Sequence, residues 1–207
     1  VWDFTTFYTN PKFVLIPSEI KTEDVQNRHQ EAFNYLMANG SAVSLCSKAI
    51  RRSRVGEIIR LDPTMTYGED MFFSWKAILV ADSIRYIRCP LYYYRQSGRG
   101  ATNHFHPNLY EHYRKAFDDI CLFVKEQGIA NVNVLASIDY HFACRIPALT
   151  SMEIKAPYSR KNQIDHLQYV LQDEYIRRGL SSSLQLSGKL FTLARNNEVS
   201  AMLKIAR

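Results

Sequence analysis

Two adjacent carboxylates, Glu69 and Asp70, are the residues of this chain whose type and position best suit chemistry. They follow Gly68 and immediately precede an apolar run over residues 71–81 that has the composition and length of a buried helix. The pair therefore falls at a predicted helix N-terminus, where free backbone N–H groups and the helix dipole stabilise an anion by roughly 0.3–1 kcal/mol. Capping of the helix and presentation of a fixed functional carboxylate both fit this position.

Other candidate groups stand on either side of the pair. A basic cluster over residues 48–54 is compatible with solvated surface or with a site that faces a phosphate. His104 and His106 lie two apart in a predicted loop and could share a metal ion, although no further ligand stands beside them. The sequence contains no dinucleotide-binding, P-loop, zinc-protease or nucleophile-elbow motif.

Composition places the chain among globular proteins. Its 207 residues suit one large or two small domains, and 46% of them are hydrophobic. The formal charge of +6 admits nucleic acid, anionic lipid headgroups or a phosphate-bearing substrate as partner. The widely spaced cysteines, without a C-x-x-C pair, signal segment or run of 18 apolar residues, predict reduced core thiols in a cytosolic protein.

The hydrophobic pattern changes near Pro107, which predicts one domain over residues 1–106 and a second over 107–207. The first half alternates strand and helix signals, whereas the second shows helical spacing throughout. We expect strands near residues 1–8, 58–61, 84–88 and 90–95, and a strand or an apolar loop near 13–17. We expect helices near 23–38, 69–82, 107–127, 131–145, 159–178, 182–195 and 197–206. The predicted fold is thus an α/β part followed by an all-helical region, helix-rich overall.

The order of elements in the first half is more specific than any single residue. An acidic pair opens an apolar helix, a short strand follows, and a Pro-Leu-Tyr-Tyr-Tyr-Arg strand leads into a Ser- and Gly-rich basic loop. This order resembles the acceptor-side half of family 2 glycosyltransferases of the GT-A fold, of the bacterial polysaccharide-biosynthesis type. The matching residues are Gly68, Glu69, Asp70, Phe73, Ala81, Ile87, Pro90, Leu91, Tyr92, Tyr94, Arg95 and Thr102, and the resemblance covers about residues 1–106.

The resemblance implies a role for several residues. Asp70 matches the general base that takes the proton from the acceptor sugar hydroxyl in an inverting transfer, and a positioned base contributes about 10²–10⁴-fold. Glu69 would orient the acceptor or brace the loop. Arg95 and Arg99 would meet the donor diphosphate, Tyr94 and Trp75 would contact substrate, and His104 would join a divalent metal, Mg or Mn. The metal is expected in the complete enzyme and not on this chain alone.

The chain also departs from this pattern, because it contains no Asp-x-Asp motif and no nucleotide-binding βαβ portion. We therefore expect a C-terminal part of a glycosyltransferase that is inactive alone. The expected partners are a nucleotide-sugar donor and a saccharide or lipid-linked saccharide acceptor, used in capsule, exopolysaccharide or surface glycan synthesis. Homodimerisation and peripheral contact with the inner face of the membrane stay open, whereas nucleic acid is not expected.

A non-enzymatic function also fits the sequence. The helical region could be a non-catalytic interaction module that binds a protein or an anionic partner through basic residues. The apolar and basic residues of 180–207 fit either a membrane-surface helix or a packing helix of a small bundle. Salt-dependent retention on immobilised nucleic acid would support the module, whereas an upstream Asp-x-Asp in the reading frame would support the transferase.

Overall fold

The computed structural model describes residues 2–7, 22–26, 44–56, 59–81, 83–95, 104–182 and 186–206. The chain divides into two compact units, residues 1–100 and 101–207. The domain boundary predicted after residue 106 lies six residues from this division. Whether the two parts are separate domains stays a prediction. Over the described residues the chain is helix-rich, whereas a GT-A architecture is not established by these elements.

The first unit contains a three-stranded sheet with strand order β1-β3-β2. Its strands are β1 (Trp2–Phe7), β2 (Thr22–Gln26) and β3 (Ser83–Arg95). β1 pairs with β3 in parallel and β2 pairs with it antiparallel. Two short helical segments, the 3₁₀ turn Leu45–Ser47 and α1 (Arg52–Val55), precede the longer α2 (Glu69–Leu79).

Three sequence predictions in this unit are corrected. The strand expected over 58–61 is wrong over its described residues, since 59–61 form no strand, and the prediction for 13–17 lies outside the described residues. The helix expected over 23–38 is wrong at its start, because residues 22–26 form β2, with Thr22 opposite Ile87 and Val25 opposite Ile84. Backbone pairing with β3 outweighs the helix-start signal of the Thr-Glu-Asp sequence. The two strands expected on either side of Cys89 are one strand, β3, and the register with β1 shifts beside Pro90, as expected for a proline that donates no ladder hydrogen bond.

α2 supplies much of the buried apolar surface that is described in the first unit. Its helix runs as predicted from Glu69 but ends at Leu79, three residues early. Met71, Trp75 and Ile78 recur at helical spacing and are 1%, 0% and 4% exposed. Burial of this face fixes the orientation of α2. The orientation of α2 then determines where its first turn, with Glu69 and Asp70, points.

The second unit is entirely helical over its described residues. Its helices are α3 (Leu109–Glu126), α4 (Val132–Ala143), α5 (Ile146–Ile154), α6 (Arg160–Leu171), α7 (Glu174–Ser182), α8 (Lys189–Arg195) and α9 (Val199–Ile205). The helical spacing of Leu109, Tyr113, Phe117, Ile120 and Val124 predicts one apolar side for α3, and this prediction is confirmed because all five residues are buried. Phe117 of α3 stacks on Phe142 of α4 with ring centroids 4.3 Å apart.

Some helix boundaries differ from the predicted ones. The segment expected as one helix over 159–178 is two helices, because Asp173 Oδ1 accepts hydrogen bonds from the backbone N–H groups of Tyr175 and Ile176 and caps α7. Gly179, expected as a stop, lies inside α7, where an added Cβ would stand 2.2 Å from the carbonyl oxygen of Asp139. The break or bend that the sequence predicts at Ile146-Pro147 is confirmed, since α4 ends at Ala143 and α5 begins at Ile146, with Pro147 in a first-turn position that tolerates proline.

The last helices pack into the second unit. Met202 and Leu203 are each fully buried, and α9 contacts α5, α6 and α8. Packing therefore accounts for the inner apolar residues of this segment. Within the described residues, no helix combines the length and the apolar character that a membrane span requires. Cys46, Cys121 and Cys144 are free thiols that are half-buried, although the sequence placed them in the core.

Candidate functional site

The acidic pair lies where the sequence predicts it, in the first turn of α2. Gly68 precedes the helix with φ 84° and ψ 1°, a left-handed conformation that glycine adopts at little cost. The carbonyl oxygen of Gly68 accepts the backbone N–H groups of Met71 and Phe72 at 3.1 and 3.3 Å. This turn delivers Glu69 and Asp70 at the helix N-terminus, and both residues are partly exposed.

Asp70 is the better held of the two carboxylates. Its Oδ1 accepts a hydrogen bond of 2.8 Å from the backbone N–H of Met71. Burial raises the pKa of Asp70 above its usual value and the neighbouring Glu69 raises it further, while the Met71 N–H and Lys48 act in the opposite direction. A helix N-terminus alone would lower this pKa, so burial outweighs the helix dipole here.

Lys48 is a member of this site that the sequence placed only within a basic cluster. Its ammonium group donates hydrogen bonds to the carbonyl oxygen of Ser44 and, at 3.2 Å, to Ser47 Oγ. Burial lowers the pKa of Lys48 to about 8, and the nearby Asp70 carboxylate partly offsets that effect. The 3₁₀ turn Leu45–Ser47 thus positions a cation whose charge acts on the carboxylate of α2.

The predicted substrate-binding residues have different outcomes. Trp75 is 0% exposed, and its ring lies edge-on to Phe72 with centroids 5.3 Å apart. The side chain therefore offers no accessible surface to a substrate in this unit. Tyr94 and Arg95 end β3, where their backbones pair with Thr6 and Phe7. Arg99 lies outside the described residues.

The predicted metal ligand His104 is exposed and belongs to the second unit. The backbone N–H of the neighbouring His106 contacts the sulfur of Met152 at 3.3 Å. Among the residues that the structure describes, no three His, Cys, Asp or Glu side chains are arranged to hold a metal ion. His104 therefore stays a predicted ligand without described co-ligands.

A second group of titratable side chains occurs in the second unit and was not singled out from sequence. Glu153 of α5 is only 4% exposed, and its Oε2 lies 2.7 Å from Nδ1 of His166 on α6. The hydrogen bond to Glu153 raises the pKa of His166. Burial and the same carboxylate raise the pKa of Tyr158 to about 12. These groups line a cavity with Phe105, His106 and Met152 whose open space is about 10 Å³, enough for about one water molecule.

Comparison with known proteins identifies no relative. The chain matches no protein-family profile, no curated protein and no solved structure.

Proposed function

We propose that this chain carries the acceptor side of a glycosyltransferase that moves a sugar from a nucleotide-diphosphate sugar to a saccharide acceptor with inversion. Asp70 carries the proposal, because it is a half-buried carboxylate held by a backbone N–H with a lysine charge nearby. Its raised pKa brings the base closer to neutral pH, where proton acceptance is most effective.

The proposed step uses Asp70 as the general base. The acceptor hydroxyl attacks the anomeric carbon of the donor while its proton passes to the Asp70 carboxylate. The bond between the anomeric carbon and the diphosphate oxygen breaks, and the nucleoside diphosphate leaves with that electron pair. Glu69 orients the acceptor, and Arg95 and Arg99 neutralise the leaving diphosphate.

The remaining parts of the proposal follow from the sequence resemblance. The proposal includes Mg²⁺ or Mn²⁺ as cofactor, with His104 as one candidate ligand, and assigns the proton transfer to Asp70 alone. It places the reaction in surface glycan synthesis, at the cytoplasmic side of the membrane, with a saccharide or lipid-linked saccharide as acceptor.

The test is transfer activity of the protein encoded by the whole reading frame, including any residues before Val1. Nucleoside diphosphate release is measured with a panel of nucleotide sugars and saccharide acceptors. Asp70→Asn is expected to lower turnover by about 10²–10⁴-fold while donor affinity stays nearly unchanged. Asp165→Asn, the same change at an exposed carboxylate of α6, is the matched control and should leave the rate unchanged.

Two outcomes would reject the proposal. Turnover retained in the Asp70→Asn protein removes Asp70 from the role of base. Absence of transfer with every donor, together with salt-dependent retention on nucleic acid, favours the non-catalytic interaction module.

A further inference from the structure

The second unit carries an exposed group of rings beside the small cavity at Glu153. The group consists of Tyr158, His166 and Tyr169, and we refer to it as the ring surface. Tyr158 and Tyr169 are 36% and 58% exposed, and the His166 side chain is 30% exposed. Tyr158 and His166 line the cavity, and the ring of His166 lies beside that of Tyr169. Partly exposed tyrosine rings of this kind are enriched at binding interfaces.

Contacts with neighbouring and buried side chains hold the rings of this surface in place. Tyr169 lies edge-on to Tyr110 with centroids 5.6 Å apart, and its plane is 27° from that of the His166 ring at 6.5 Å. Tyr110 is buried, and its hydroxyl donates to Asp173 Oδ2 at 2.9 Å. The Tyr169 ring therefore packs against a fixed ring, so binding to its exposed part would cost little side-chain entropy.

The polar members of the surface are also oriented. The buried carboxylate of Glu153 lies 2.7 Å from Nδ1 of His166 and so fixes this ring nitrogen as a donor. Over the described part of the chain, the other nitrogen of this partly exposed ring has no hydrogen-bond partner. The Tyr158 ring is held edge-on by Phe105 at 5.8 Å, with its hydroxyl near the same carboxylate.

Rings that offer an apolar face beside oriented polar groups match one chemical class well. A saccharide has apolar C–H faces that pack on aromatic rings and hydroxyl groups at its edges that pair with imidazole and phenol groups. The carboxylates of Glu153 and Glu111 both act on Tyr158 and His166, so an uncharged saccharide is favoured over an acidic one at a pH where His166 is neutral. The cavity has room for about one water molecule, so a sugar ring must lie on the surface and not inside it.

We propose that Tyr158, His166 and Tyr169 form a binding surface for an uncharged saccharide chain. The site does not include Asp70, and its ligand is a bound chain that undergoes no reaction there. It is compatible with an acceptor glycan but does not require the transfer reaction.

The test measures, by NMR titration, how tightly the 207-residue chain binds uncharged hexasaccharides of glucose, galactose and mannose. Hexagalacturonate serves as the acidic comparison. We expect at least one uncharged hexasaccharide to bind with a Kd of about a millimolar or tighter. Tyr169→Leu, which keeps apolar bulk but removes the ring face, should weaken this binding about tenfold, whereas Tyr169→Phe should bind within about twofold of the parent. Leu122→Ala, at another exposed apolar residue of this unit, is the control and should bind normally.

Three results would overturn the proposal. The first is no binding of any uncharged hexasaccharide at 10 mM, and the second is tighter binding of hexagalacturonate. The third is affinity that falls in Asp70→Asn but not in Tyr169→Leu, provided that both variants unfold at the temperature of the parent. Because the expected loss follows Tyr169 and not Asp70, failure here is distinguishable from failure of the proposed transfer.

Discussion

At the scale of single residues, burial and the neighbouring charges together set the pKa of Asp70, the carboxylate that we propose as the general base. Glu69 raises the pKa of Asp70 and Lys48 lowers it, so two neighbours of opposite charge act on one carboxylate. The sequence places Glu69 beside Asp70 directly. The effect of Lys48 depends on the 3₁₀ turn Leu45–Ser47, which brings a residue 22 positions away in the chain near α2.

This balance can be tested by removing each neighbour in turn. Lys48→Met should raise the pKa of Asp70, because the carboxylate loses a favourable positive charge, and Glu69→Gln should lower it. Carboxyl ¹³C NMR titration of the 207-residue chain measures both shifts. Shifts of the same sign in the two variants would show that burial changes, and not charge, dominate at this position.

At the scale of secondary-structure elements, α4 and α7 approach so closely that only glycine fits at position 179. A Cβ at this position would lie 2.2 Å from the Asp139 carbonyl oxygen and 2.8 Å from the Ala143 Cβ. Arg178 reinforces the same contact, since its Nε and one terminal nitrogen donate to the two carboxylate oxygens of Asp139 at 2.8 and 2.9 Å. Sequence alone predicted a helix stop there, because glycine at the end of an apolar pattern is more often a cap.

Gly179→Ala is expected to destabilise the second unit. The added methyl group must displace backbone atoms of α4, and overpacking of this kind costs about 1–3 kcal/mol. Urea unfolding followed by circular dichroism measures the change in the free energy of unfolding. Ser181→Ala, an exposed change on α7, should stay within about 0.5 kcal/mol of the parent. Equal stability of both variants would contradict the close contact.

At the scale of the whole molecule, two histidines of the second unit make its stability depend on pH in opposite directions. The hydrogen bond to Glu153 raises the pKa of His166 in the folded chain. The stability that His166 contributes is therefore complete below its pKa in the unfolded chain and is lost as the pH rises through its pKa in the folded chain. Burial lowers the pKa of His141 to about 3, so its contribution is present above the unfolded pKa and is lost as the pH falls.

Comparison of variants separates the two effects. The free energy of unfolding is measured by urea titration between pH 5 and 8 for the parent and for His166→Gln. The stability advantage of the parent should be largest at the acidic end and should shrink as the pH rises through the raised pKa of His166. His141→Asn is the companion variant, whose pH profile should lose the decline on the acidic side. A pH-independent difference for His166→Gln would remove the Glu153 pair as its cause.

The sequence by itself determined the mainly helical character of the described residues from Leu109 onward, the buried face of α3 and the helix start at Glu69 and Asp70. These are local features, set by the period of apolar residues and by glycine beside an acidic pair. Only the tertiary structure decided the pairing of β2, the placement of Lys48 and the full burial of Trp75. It also brought Glu153 and His166 together and required glycine at position 179. These features depend on contacts between distant segments, where packing and desolvation outweigh the local propensities that a sequence pattern records.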